Sequence, residues 1–121
     1  MPLVLASRSP QRRAILEQLG IAFEVVFVDV DEIALGVPHQ VARENALAKA
    51  LAGAARRPGE TILGVDTIVV CGAAILGKPP SAQAAETTLK RLSGRTHEVI
   101  SGLALIRSGN PQVVHEVTKV T

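Results

Sequence analysis

At 121 residues the chain is long enough to bury one core and short for two. Its apolar share of 47%, with two Phe and neither Trp nor Tyr, implies a core of Val, Ile, Leu and Ala and excludes an aromatic platform for stacking single-stranded bases. A net charge of +2 with dispersed basic residues points to an anionic small molecule as partner and away from a nucleic-acid polymer.

The single cysteine, Cys71, excludes an intrachain disulfide and reads as a small apolar strand residue. The N-terminus lacks a basic stretch followed by a long apolar segment, and no run approaches the roughly 18 apolar residues of a membrane span. A soluble, cytoplasmic protein with no membrane contact is the expectation.

Leu3 to Leu5 reads as a strand that breaks at Ala6-Ser7-Arg8 and leads into a helix through Leu16 and Leu19 to Gly20. Ser9 suits the N-cap and Pro10 the first helical position. Free N–H groups at such a start, with Arg12 and Arg13 in its first turns, form a phosphate site. Phe23 to Val28 is a second strand, ended by Asp29-Val30-Asp31-Glu32. Those acids either hold a divalent cation or form a solvated turn, and on their own the solvated turn is preferred.

A helix is predicted from about His39 to Arg57, stopped by Pro58-Gly59. Its packing face is expected at Val41, Glu44, Ala48, Leu51 and Ala55, with Asn45, Lys49, Ala52 and Arg56 on the neighbouring face. Lys49 by itself reads as an ordinary solvated lysine. Thr61 to Val70 is the most buried-looking strand, and it contains Asp66. A carboxylate there is expelled unless paired. Either Gly64 marks a bulge or strand end where Asp66 caps a loop, or Asp66 is a general base or metal ligand; the second reading is preferred.

Cys71-Gly72-Ala73-Ala74 turns the chain into Ile75-Leu76, and Gly77-Lys78-Pro79-Pro80 forms a rigid corner. Lys78 is aimed by that corner or is a plain surface lysine. Ser81 caps a helix running to Leu92, Arg95 to Ile106 is a strand weakened by Gly102, Ser108 to Pro111 turns, and Gln112 to Thr121 alternates as a last strand. The fold expected is one α/β domain over residues 1–121, a mixed twisted sheet flanked by helices, with an exposed strand edge open to association as a homodimer. His39, His97 and His115 fall on three elements without metal-ligand spacing.

Six ordered segments carry a resemblance: Leu5-Ala6-Ser7-Arg8-Ser9-Pro10-Gln11-Arg12-Arg13, Asp29-Val30-Asp31-Glu32, Leu47-Ala48-Lys49-Ala50, Gly64-Val65-Asp66-Thr67-Ile68-Val69, Gly77-Lys78-Pro79, and Leu92-Ser93-Gly94-Arg95-Thr96-His97-Glu98-Val99. Together they closely resemble the Maf family of nucleoside triphosphate pyrophosphatases, which shares a superfamily with the inosine triphosphate pyrophosphatases. The resemblance implies cleavage of a nucleoside triphosphate between the α and β phosphates, with a divalent cation, Mg2+ or Mn2+, as cofactor. It implies Asp66 as general base, Glu32 and Asp66 at the metal, and Ser7, Arg12, Arg13, Lys49 and Lys78 on the phosphates.

Many relatives acting on dTTP and UTP carry Arg where this chain has Gln11, while Thr67 matches that same subgroup; these two positions are the expected determinants of base choice. Family members also continue past residue 121, so the chain is expected to be the N-terminal part of the usual length, with reduced or absent activity in isolation. A non-catalytic nucleotide-binding regulator linked to septum formation is the alternative.

Overall fold

The computed structural model describes residues 3–7, 17–20, 22–71, 74–76 and 97–120. Its strands are β1 (Leu3–Ala6), β2 (Phe23–Val26), β3 (Thr61–Cys71), β4 (Ala74–Leu76), β5 (His97–Arg107) and β6 (Asn110–Val120), and its long helix is α1 (Pro38–Arg56). They form a six-stranded mixed sheet of order β2-β1-β3-β5-β6, with β4 also paired to β3. This is the α/β architecture expected. The first helix is described only at its end, where Gly20 takes φ +71° and donates its N–H to the Glu17 carbonyl. Its start, with Ser9 and Pro10, and the helix expected from Ser81 to Leu92 lie outside the described residues.

β1 runs parallel to both β2 and β3, as strands joined through helical crossovers must. Both of its faces are covered: Val4, Leu5 and Ala6 are all buried. β5 and β6 form a long antiparallel hairpin whose two-residue turn, Ser108-Gly109, has positive φ at both positions, 52° and 78°. That geometry matches the natural strand twist. The last strand therefore begins at Asn110, inside the expected turn. Pro111 is tolerated in it because β6 is the sheet edge among the described residues.

The packing face of α1 differs from the expected one. The buried positions are Val41, Ala42, Asn45, Ala46, Lys49, Ala50 and Gly53, whereas Leu51 and Ala55 are exposed. The sheet explains the difference. A Cβ on Gly64 would stand 2.2 Å from the Ala46 carbonyl oxygen, and one on Gly102 would stand 2.3 Å from that of Ala42. Gly64 thus marks no bulge, since it sits in a regular ladder between Ala6 and Ala104. Two glycines let the helix backbone settle directly onto β3 and β5, and only small residues fit that closely. Leu51, the more hydrophobic choice, is too large and turns outward.

Val4, Ala6, Val26, Val28, Ala46, Ala50, Ile62, Ala104 and Ile106 form the larger core cluster under this contact. The end of α1 is fastened to β2, with Arg56 donating to the Phe27 carbonyl at 2.6 Å and Arg57 bridging Glu60 and Glu24. Hydrogen bonds to those two carboxylates, Glu60 foremost, raise the Arg57 pKa above its ordinary value. At Gly53 an added Cβ would meet the Ala6 Cβ at 2.8 Å and Ile62 Cγ2 at 2.9 Å. Gly53→Ala gains about 1 kcal/mol of helix propensity, but overpacking costs about 1–3 kcal/mol. The expected net loss is about 1 kcal/mol by denaturant unfolding; an increase in stability would show that the helix can retreat there at no cost.

One irregularity of the sheet positions the site. On one side of β3, β1 pairs only as far as Gly64, and β4 pairs only from Val69 onward. β5 runs unbroken along the other side. Among the described residues, 65–68 therefore lack a strand partner on that side and lie at a notch in the sheet. β1 ends at one wall of it and β4 at the other.

Candidate functional site

Asp66 lies in this notch, opposite Gly102 and 2% exposed. Strand alternation places its carboxylate on the α1 face, and α1 supplies its partners. Lys49 Nζ donates to Asp66 Oδ1 at 3.1 Å and Asn45 Nδ2 donates to Asp66 Oδ2 at 3.2 Å. Asn45 and Lys49 are four residues apart, hence neighbours on one helix face. Each carboxylate oxygen holds one donor, which satisfies a charge that burial would otherwise expel.

Lys49 is a correction to the sequence expectation. It is buried, and its ammonium reaches three acceptors: Glu32 Oε1 at 2.9 Å, Asp66 Oδ1 at 3.1 Å and the Val65 carbonyl at 3.3 Å. An ammonium has three N–H donors, so all are engaged inside the protein. The Val65 carbonyl belongs to the notch, where no described strand pairs with it and Lys49 takes it instead. Removing Lys49 strips the buried Asp66 of its counter-ion, and breaking such a pair costs about 3–5 kcal/mol. Lys49→Met is expected to lower the urea midpoint accordingly; an unchanged midpoint would mean the Lys49–Asp66 pair contributes nothing to stability.

Glu32 ends the acidic segment, which forms neither helix nor strand, and its side chain is 40% exposed. The segment bends back so that Glu32 and Asp66 converge on Lys49. Asp29, Asp31 and Glu32 are all exposed, in keeping with the solvated segment favoured from the sequence alone, although Glu32 also reaches Lys49. No group of three or more His, Cys, Asp or Glu placed to hold a metal occurs among the described residues.

Ser7 is buried just past β1, and its N–H is spent on the Val26 carbonyl at 3.2 Å. Its backbone donor is therefore unavailable to phosphate. Thr67 points to the opposite face of the sheet, where its hydroxyl lies 3.4 Å from that of Ser101, so the structure does not bring it to Asp66. Gln11, Arg12, Arg13 and Lys78 lie outside the described residues. Away from the site, His39 and His115 stack with ring centroids 5.1 Å apart, and Arg43 Nη1 lies 3.1 Å from His115 Nδ1. Sequence separation hid that pairing.

Asn45 is the residue that sequence reasoning missed. Its signal was present: an amide and a lysine at i and i+4, enclosed by Ala42, Ala46 and Ala50 on a helix of small residues. Among the described residues, no helix is long and apolar enough to cross a membrane.

Residues 2–121 match the family described as Maf-like protein. The chain is 47% identical over 120 residues to the dTTP/UTP pyrophosphatase of Symbiobacterium thermophilum, covering 98% of this chain and 62% of that protein. It is 46% identical over 123 residues to the dTTP/UTP pyrophosphatase of Thermomicrobium roseum, covering 99% and 56%. Against the dTTP/UTP pyrophosphatase of Thermotoga maritima it is 45% identical over 122 residues, covering 99% and 60%. The chain spans less than two thirds of the length of these curated relatives. Its match along nearly every residue, with Asp66, Lys49 and Glu32 assembled at one point, makes it a member of the Maf-like protein family.

Proposed function

We propose that this chain carries the base and metal portion of a nucleoside triphosphate pyrophosphatase acting on dTTP or UTP. The observation that carries this reading is the buried carboxylate of Asp66 in the sheet notch, sharing the Lys49 ammonium with Glu32. Burial and two fixed donors give Asp66 a defined direction, and each oxygen keeps a lone pair to accept a proton from water. That water attacks the α phosphorus, the α–β bridging oxygen leaves with the pyrophosphate, and the nucleoside monophosphate remains. Glu32 and Asp66 would hold a divalent cation, which would supply charge neutralisation on the phosphate oxygens.

Lys49 acts first as counter-ion to the two acids. It contacts the triphosphate only by releasing an acceptor, and Glu32 is the most exposed of its side-chain partners. Arg12 and Arg13 are assigned to the phosphates as fork-shaped donors and Lys78 as a point charge. Ser7 contributes through its position beside the notch. Gln11 and Thr67 are assigned to base choice.

The test joins residues 1–121 to the remaining length of the Symbiobacterium relative and screens nucleoside triphosphates with Mg2+ or Mn2+. Pyrophosphate release from dTTP and UTP is expected, together with weaker release or none from the unjoined chain. A folded fusion that binds these nucleotides without turnover would favour the regulatory alternative.

A further inference from the structure

Resting on the pyrophosphatase reading, we propose that Asn45 is a positioning residue that ties the acidic segment to Asp66 and so sets the spacing of the two metal-binding carboxylates before any cation arrives. Asn45 is 3% exposed on a helix face otherwise made mainly of Val, Ala and Gly. Its Oδ1 accepts the Ile33 N–H at 2.8 Å, and its Nδ2 donates both to the Ile33 carbonyl at 3.0 Å and to Asp66 Oδ2 at 3.2 Å. Both amide hydrogens are used, for two different jobs.

The orientation of the amide admits one solution. Exchanging its oxygen and nitrogen would set an NH2 group against the Ile33 N–H and an oxygen against both a carbonyl and a carboxylate. The side chain therefore reads residue 33 with two bonds and residue 66 with one.

The segment it holds has little else of an apolar kind to fix it. Ile33, Leu35 and Val37 are 43%, 86% and 49% exposed, so burial does not anchor this stretch. Glu32 directly precedes Ile33. Pinning Ile33 on both its N–H and its carbonyl delivers the Glu32 carboxylate to the same helix turn whose next residue down, Lys49, receives it. Asn45 and Lys49 then hold opposite oxygens of Asp66, fixing the carboxylate plane as well as its place. This is the support that a site needs to be organised in advance.

The experiment compares the 121-residue chain with its Asn45→Leu variant, which keeps the number and branching of the side-chain heavy atoms but removes all three bonds. Asn45→Ala serves if the first variant does not fold. Amide exchange and Mn2+-induced NMR line broadening are measured without nucleotide. Expected are exchange at the Ile33 amide about tenfold faster, unchanged exchange at Val65 and Ile68, and a Mn2+ midpoint raised about tenfold. Unchanged exchange at Ile33 would overturn the tie. Equal Mn2+ midpoints in the two chains would overturn the positioning role alone. A wild-type chain that does not bind Mn2+ near Glu32 and Asp66 would overturn the cation role and, with it, the metal assignment of the pyrophosphatase reading.

Discussion

Asp66→Asn in the joined enzyme is expected to reduce pyrophosphate release about a thousandfold, within the range that a positioned general base supplies. The amide matches the carboxylate in shape, so the fold survives, but it cannot take a proton from water. It also breaks the local pattern: with one oxygen toward Lys49, its NH2 faces the NH2 of Asn45, donor against donor. About 1–3 kcal/mol of stability is lost from that mismatch. Steady-state pyrophosphate assays and a thermal melt on the same sample separate the two effects. Retention of a tenth of the wild-type rate by a folded Asp66→Asn enzyme would remove Asp66 from the chemistry.

Gly64→Ala and Gly102→Ala are the stability counterparts. At both positions the obstacle to a methyl group is the α1 backbone, 2.2 Å and 2.3 Å away, which no rotamer change relieves. The helix must lift from the sheet, uncovering Ala46, Ala50 and Ile62. About 3 kcal/mol or more is expected for each, above the usual cost of one extra methylene. For a domain whose total stability is about 5–15 kcal/mol, either change threatens folding outright. Ser101→Ala, on the sheet face away from α1, is expected to stay within about 0.5 kcal/mol of wild type. Urea unfolding of the three variants decides the matter, and a Gly64→Ala chain as stable as Ser101→Ala would contradict the close approach.

Much of the element order was legible because strand signals here are strong. Thr61 to Val70 reads as a strand from its β-branched run, and the acid inside it stands out for the same reason. The face of α1 was not legible. Hydropathy ranks Leu51 above Gly53, and a helix considered alone has no way to know that it will sit on two glycines of other strands. Lys49 and Asn45 failed for a related reason: a polar residue looks solvated until the carboxylate that needs it is placed opposite. The resemblance supplied Lys49 and Glu32 but passed over Asn45, whose partners are a backbone unit and an acid drawn from two distant stretches. The His39–His115 stack, 76 positions apart in sequence, belongs to the same class of contact.

The sheet notch carries a lesson about what defines such a site. Among the described residues, Val65 to Ile68 are left without a strand partner on one side, between Ala6 of β1 and Leu76 of β4. By register, two more residues of pairing along β1 would stand opposite Asp66 with the side chains at positions 32, 49 and 66 unchanged. The determinant is an amount of strand, so insertions and deletions beside β1 and β4 would alter reactivity in ways that a comparison of residue identities at positions 32, 49 and 66 would not register.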